Sequence, residues 1–426
     1  MSKTSRYIII IIVTGFVLMT VLKSFIFSNR YGGADLRTRV VAARLISTSN
    51  SPYFYKWKPA DGDRFLDPLD EENRLVNGNV VTPAVLWVMH PLTILPYPQV
   101  RLIWTILLVL SGLLSVFLLC KNKNNNSTLI ASSLVLLGFV CSDAWLYNIE
   151  RGQMYIFYML LFALMYRCYT GGWKYHEFVS GFIGGFFVLF RPFAGIIGLG
   201  FLLHGRIKWL TGFGTGLILA ALIFVLPNLH TWQDYFNGMQ EYVNEHMGHG
   251  HTIANAVAIE KPAVIEGVNN LKAYHPFSIY RLQTVYEYLK RLGINITSRQ
   301  SEMLYVLVLS VLSFFFYRIK KKTPGPDTLF LFAFLVFILA EYFFTVPRGA
   351  YNIIEWMFPI TIICLRGRAN IPLLLVTSLG LLLLHNFPFV FPHQGELAEV
   401  IFLGLTTYSI FFYNQLNKAT DGISRV

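Results

Sequence analysis

A carboxylate leads a short arginine-bearing segment in this chain. Residues 33–53 read GADLRTRVVAARLISTSNSPY, with Asp35 followed by Arg37, Arg39 and Arg44. The greasy run YIIIIIVTGFVLMTVLKSFIF comes just before, so Asp35 stands just outside a membrane span. Two readings compete for it. In the first turn of a helix it caps that helix and pairs with Arg39 at i, i+4. Held at the mouth of a cavity, it takes a proton from a hydroxyl as that hydroxyl attacks. A second cluster, NIERGQMY (148–155), sets Glu150, Arg151 and Gln153 between two apolar spans. Its plain alternative is a solvated loop with a Glu150–Arg151 surface pair. Arg191, in FVLFRPFAGII, is the sharpest signal. A charge in mid-span costs at least about 2.5–3.5 kcal/mol on insertion scales, so it needs a partner or a task. A phosphate suits it, because a guanidinium grips phosphate through parallel hydrogen bonds. Glu150 and Glu341 are the candidate structural partners. Glu341, Arg348 and Glu355 bracket YFFTVPRGAYNIIEW and read as an internally paired set.

Histidines are weaker candidates. His246, His249 and His251 lie in the glycine-loosened stretch NEHMGHGH, with no acid or cysteine at metal-site spacing, and no metal is expected there. His275, in HPFSIYRL, belongs with nearby amides and tyrosines that suit a sugar ring or a loop packed on a membrane surface. No P-loop, no GxGxxG after a strand and no GxSxG elbow occurs, so nucleotide-driven and soluble-cofactor chemistry lack support. The four cysteines, at 120, 141, 168 and 364, form no CxxC.

The elements that must position these residues are membrane helices. The 426-residue chain is 54% hydrophobic and 14% charged, against about 25% charged in soluble domains. Apolar runs of about 17–25 residues recur along it, each long enough to cross a bilayer. Alternating strands of a β-barrel are absent from the sequence. The expected fold is an all-α polytopic integral membrane protein with about 11–13 membrane helices, short re-entrant segments included. Residues 1–27 read as an N-terminal anchor helix, 28–80 as a first outer loop and 81–227 as a helix module. Residues 228–302 read as a second long outer loop, and 303–426 as a C-terminal helix module. In the first loop Leu36, Val40 and Ala43 share one helical face, which suits the membrane surface.

The net charge of +12 sits in clusters such as GRIK (205–208), YRIKKK (317–322) and RGR (366–368) between apolar runs. That is the pattern of inward-facing loops, not of a nucleic-acid surface. It puts both long loops, the 147–153 corner and VPRGAY (346–351) outside. The run 178–204 is split by Arg191-Pro192 into halves of about 20 Å, too short for a core of about 30 Å. A re-entrant hairpin with Arg191 at its tip fits the flanking charges; a single kinked span is the alternative. Residues 81–97, with prolines at 83, 91 and 96, read as a dip.

Taken in order, these motifs resemble glycosyltransferase family 87, the polyprenol-phosphate-mannose-dependent transferases of the GT-C superfamily. ADLRTRVVAARLISTSNSPY is similar to the family's first outer loop, and VVTPAVLWVMHPLTILPYPQVRLIW to the segment after it. ERGQMYIFYMLLFALMYR and GFIGGFFVLFRPFAGIIGLGFLL are similar to two of its spans. The resemblance covers about residues 30–210. It implies a GT-C bundle in the inner (plasma) membrane with its site on the periplasmic face. It implies a polyprenyl-phosphate sugar as donor, a glycan or glycolipid as acceptor, and no cofactor. Asp35 matches the catalytic acid and Gln153 the family glutamine. Arg191 stands where members carry Lys before Pro, near the lipid phosphate. Arg39, Glu150, Arg151 and Arg348, with Tyr351, Asn352 and His275, are the further substrate-binding candidates. Tyr155 replaces an expected Asn. VPRGAYNIIEW offers Tyr351 and Asn352 where the family has histidines. The rival class is a transporter or flippase of lipid-linked sugars, or a non-catalytic assembly protein. The long, acid-bearing first loop and the lack of repeat symmetry favour an enzyme.

Overall fold

The computed structural model describes residues 2–68, 70–121, 126–253, 259–262, 264–266, 268, 281–282, 284–319, 324–344, 348–366, 371–385 and 393–412. The described chain is helical almost throughout. It runs α1 (Lys3–Tyr31), α2 (Ala34–Leu45), α3 (Pro83–Met89), α4 (Tyr97–Cys120), α5 (Asn126–Val135), α6 (Asp143–Arg151), α7 (Tyr155–Tyr169), α8 (His176–Phe190), α9 (Gly198–Leu203), α10 (Ile207–Phe224), α11 (Leu229–Met247), α12 (Val285–Arg291), α13 (Ser298–Ile319), α14 (Pro326–Phe343), α15 (Met357–Arg366), α16 (Ile371–Leu382) and α17 (Gln394–Phe411). One two-residue antiparallel pairing joins Arg281–Leu282 to Arg348–Gly349.

Among the described residues five helices, or six with one bent pair, are long and apolar enough to cross a membrane; five further apolar helices are shorter. This is a multi-pass membrane protein. Apolar side chains on α1, α10 and α13 lie open, among them Ile11, Met19, Ile218 and Met303. Such faces are stable against hydrocarbon rather than water. α14 is apolar all round and is buried accordingly, at the centre of the bundle.

The run 178–204 folds as a hairpin. α8 is 15 residues long, about 22 Å of helix. Arg191 then adopts an extended conformation (φ −143°, ψ 97°), and the chain returns through a 3₁₀ turn over Pro192–Ile197 and α9. The two ends meet: Arg206 lies 3.9 Å from Glu177, and the Tyr169 ring packs against both His176 and Phe201. Arg191 is therefore at the turn. Two glycine pairs let α8 lie directly on α10. A Cβ at Gly181 would fall 2.0 Å from the Trp209 carbonyl oxygen, and one at Gly216 would fall 2.2 Å from that of Phe182. Close approach through small residues at i, i+4 is how membrane helices gain packing without a hydrophobic driving force.

Two expectations need correction. α2 does not lie on a surface: all its residues except Asp35 are buried, Leu36, Val40 and Ala43 among them. Its arginines bond to groups inside the protein. Arg37 donates from Nε to the Leu66 carbonyl (3.0 Å) and from Nη2 to the Asp63 carbonyl (2.6 Å). Residues 228–302 do not begin as a loop, because α10 and α11 pass as one 41-residue helical segment, Ile207–Met247, interrupted by a short 3₁₀ turn.

The second loop is fastened to the first by Glu266. Its carboxylate accepts from Arg44 Nη1 and, at 3.1 Å, from Arg44 Nη2; Arg37 Nη1 lies 3.3 Å away, and the Tyr97 N–H donates to it at 2.8 Å. Burial pushes this carboxyl up, but the Arg44 hydrogen bond and the two arginine charges outweigh burial and hold it below its ordinary value of 4.5. A depressed folded-state value means stability that is full above about pH 4.5 and lost as pH falls through the folded value. Glu266→Gln should lower stability at pH 7 by about 1.5–3 kcal/mol, the worth of a charged hydrogen-bond set. Thermal unfolding in detergent checks this: the variant and wild type should differ at pH 7 and converge as the pH is taken well below 4.5.

Candidate active site

Asp35 opens α2 beside a corner that the chain makes at Gly152. Gly152 ends α6 in the left-handed region (φ 65°), and a Cβ there would fall 2.6 Å from that of Leu36. Its carbonyl takes hydrogen bonds from Arg39 Nη1 (2.6 Å) and Trp104 Nε1 (3.0 Å). The corner thus locks α2, α4 and α6 together, and it delivers Arg151 and Gln153 to the acid. Arg151 reaches Asp35 with both edges of its fork: Nε donates to Oδ2 at 2.9 Å, and Nη2 lies 2.6 Å from Oδ1. Gln153 donates through Nε2 to Oδ2, and its own Oε1 accepts from Arg39 Nη2. Asp35 therefore pairs with Arg151, while Arg39 sits behind Gln153 and orients it. Tyr97, from α4, directs its hydroxyl at the carbonyls of Gly32 and Gly33 and fixes the chain just before Asp35.

Asp35, Arg39, Arg151 and Gln153 line one cavity of about 180 Å³, and Arg191 and Tyr351 line it too. Arg191 comes from the α8 turn. Its Nε donates to Glu341 Oε1 at 2.9 Å and its Nη2 to the same oxygen. Its side chain is 26% exposed, against 2% for Glu341. The guanidinium stands between a buried carboxylate and the open cavity, with Tyr155 and Tyr158 flanking it at 5.7 and 5.8 Å. Tyr351 stacks on Tyr155 (5.5 Å, 27°), so the residue standing in place of the expected Asn forms part of an aromatic wall.

Other candidates lie elsewhere. Glu150 is buried behind the corner, not on a surface, and does not line the cavity. Asn352 is buried and donates to Glu341 Oε2 at 3.3 Å. Arg348 is sequestered, donating from Nη1 to Glu399 Oε2 at 2.9 Å, with Glu341 and Glu355 at 3.7 and 3.9 Å. Of the cluster 246–251, His246 bonds the Tyr242 carbonyl and His251 bonds Glu241. Among the described residues no group of three His, Cys, Asp or Glu is placed to hold a metal. His275 lies outside the described residues.

The cavity also has members that the sequence reading did not single out: Asn79 and Thr82 from the segment before α3, Tyr158, and Tyr235 and Tyr242 from α11. Tyr235 and Tyr242 are seven residues apart on an amphipathic helix, which was the available signal. Asn79 gave none, lying in the plain turn sequence NGN.

An acid held by an arginine fork and a second arginine thus line one small cavity in a bundle of apolar helices. The chain belongs to glycosyltransferase family 87, whose model matches residues 81–343. It is a glycosyltransferase. The match reaches well past residue 210 and takes in Arg151, Gln153, Arg191, Tyr235 and Glu341; Asp35 lies before its start. Comparison with curated proteins gives no match, and comparison with solved structures gives none.

Proposed function

We propose that this protein transfers a hexose, mannose on the family resemblance, from a polyprenyl-phosphate sugar to a glycan or glycolipid acceptor. On this reading the reaction takes place on the outer face of the inner (plasma) membrane and needs no cofactor. The observation that carries the reading is the cavity itself. Asp35, on helix α2, and Arg191, at the turn of the α8 hairpin, line it together. A donor anchored in lipid and an acceptor arriving from water would meet between them.

Asp35 is the general base. Three donors on its two oxygens aim the carboxylate, and Oδ1, which takes one of them, keeps acceptor capacity for a hydroxyl. The acceptor oxygen attacks the anomeric carbon as its proton passes to Asp35. The bond from that carbon to the phosphate oxygen breaks, and lipid phosphate leaves with one more negative charge. Arg191 meets that charge. Its Nε and Nη2 hold Glu341, and Nη1 makes no hydrogen bond to the described residues. An interaction that strengthens as charge develops lowers the barrier rather than only the ground state. Arg151 is committed to Asp35, and Arg348 to its buried carboxylates, so phosphate binding is assigned to Arg191.

Attack from the side opposite the phosphate inverts the anomeric centre. NMR of the product, through the one-bond C1–H1 coupling, should therefore give the configuration opposite to the donor's. Retained configuration would contradict a single displacement with Asp35 as base.

A further inference from the structure

We propose that Asn79 and Tyr235 form the subsite for the donor's sugar ring, a pyranose, on the Arg191 side of the cavity. The inference rests on the reading above that Arg191 holds the donor phosphate.

Asn79 is 5% exposed and lines the cavity, yet its Nδ2 has no hydrogen-bond partner among the described residues. Its Oδ1 accepts one long bond, from the Val81 N–H at 3.5 Å, and its backbone N–H is used by Asn77 Oδ1 at 3.0 Å. Exchanging the amide's oxygen and nitrogen would not change the conclusion, since one polar atom stays unmet either way. A buried amide nearly always finds a partner, and one left without is expected where a ligand supplies it. Tyr235 is likewise buried, at 7% exposed, and lines the same cavity. Its hydroxyl makes no hydrogen bond to the described residues, which leaves it for a ligand in that cavity. Its ring packs against Tyr53 at 5.6 Å and Trp232 at 5.7 Å. Two unmet polar groups and a packed aromatic ring are what a sugar requires: partners for hydroxyls and a flat face for C–H bonds.

Position assigns this wall to the donor. Thr82, three residues after Asn79, donates from Oγ1 to the Leu189 carbonyl at 2.6 Å, two residues before Arg191. Tyr235 and Arg191 line the same cavity. A sugar bonded directly to a phosphate on Arg191 must lie against groups this near. Asp35, Arg151 and Tyr351 are then left for the acceptor hydroxyl.

The test compares two probes, polyprenyl-phosphate mannose and polyprenyl phosphate without sugar, on the full-length reconstituted protein. Asn79→Ala and Tyr235→Phe should each weaken binding of the sugar-bearing probe by about tenfold, the upper worth of one neutral hydrogen bond. Binding of the bare lipid phosphate should stay within about twofold. Tyr235→Phe keeps the ring and its packing, so it reports on the hydroxyl even if Asn79→Ala disturbs the turn. Equal weakening of both probes, no change in either, or a rise confined to the acceptor KM would overturn the subsite and leave the transferase reading standing. Wild-type protein that binds neither probe would overturn both.

Discussion

Asp35→Asn should lower kcat by about 10²–10⁴-fold, the range a general base contributes. The amide keeps the size of the side chain but cannot take the acceptor's proton. Arg151 then loses its anionic partner, so the cavity becomes more positive near an anionic donor. Donor binding should hold or tighten while turnover collapses, a split that a merely misfolded site would not give. A kcat close to wild type would remove Asp35 from the chemistry and leave it as a structural ion-pair partner of Arg151. Arg151→Lys gives the companion result. Lysine keeps the charge but not the two-edged fork. The carboxylate then loses its aim, and kcat should fall by less than in Asp35→Asn.

The second large effect is on stability. Arg348→Leu should cost about 3–5 kcal/mol, the usual loss when one member of a buried ionic set is removed. Arg348 is 5% exposed, its guanidinium lies 4.4 Å from the Tyr342 ring centre, and Glu399, which it holds, also accepts from Trp356 Nε1 at 3.1 Å. Without it, Glu399 loses its ion-pair partner, and among the described residues Glu341 is left with Arg191 alone. The carboxylate that steadies Arg191 would then be drawn into a repelling cluster, so activity should fall along with the unfolding midpoint. Thermal unfolding in detergent reads the first and donor turnover the second. Arg348→Lys, which restores the charge without the fork, should recover part of both. An unchanged midpoint for Arg348→Leu would mean that the buried set is not ionised as a group.

Much of this architecture was legible because membranes penalise charge so heavily. Arg191 stood out in an apolar run whose halves are each too short to cross, and the flanking charges favoured the hairpin over a single kinked span. Glu341 was one of its two candidate partners, and the structure selects it over Glu150. Glu399 was not legible, because an acid in GELAEV near the start of a helix looks like a solvated first-turn residue until α17 is packed against Arg348. α2 misled for a related reason. Leu36, Val40 and Ala43 on one face read as a helix lying on the membrane surface, yet backbone carbonyls of the folded first loop and the distant Glu266 take up Arg37 and Arg44, and Arg39 turns to the Gly152 corner. Those partners are fixed by tertiary closure over as many as 222 positions of sequence, which no local pattern records. Asn79 and Tyr235 were hidden in the same way. Each is an ordinary polar or aromatic residue until a cavity forms beside it and its hydrogen bond is found missing.

The central claim is that the cavity between Asp35 and Arg191 transfers sugar from a lipid phosphate. The most direct test is release of polyprenyl phosphate from radiolabelled polyprenyl-phosphate mannose by purified, lipid-reconstituted protein, wild type beside Asp35→Asn, with lipid movement between leaflets followed in the same vesicles. Release by wild type and none by the variant, with donor bound by both, is the predicted result. Movement of intact donor between leaflets by both proteins, with no release from this or any other hexose or pentose lipid, would contradict it.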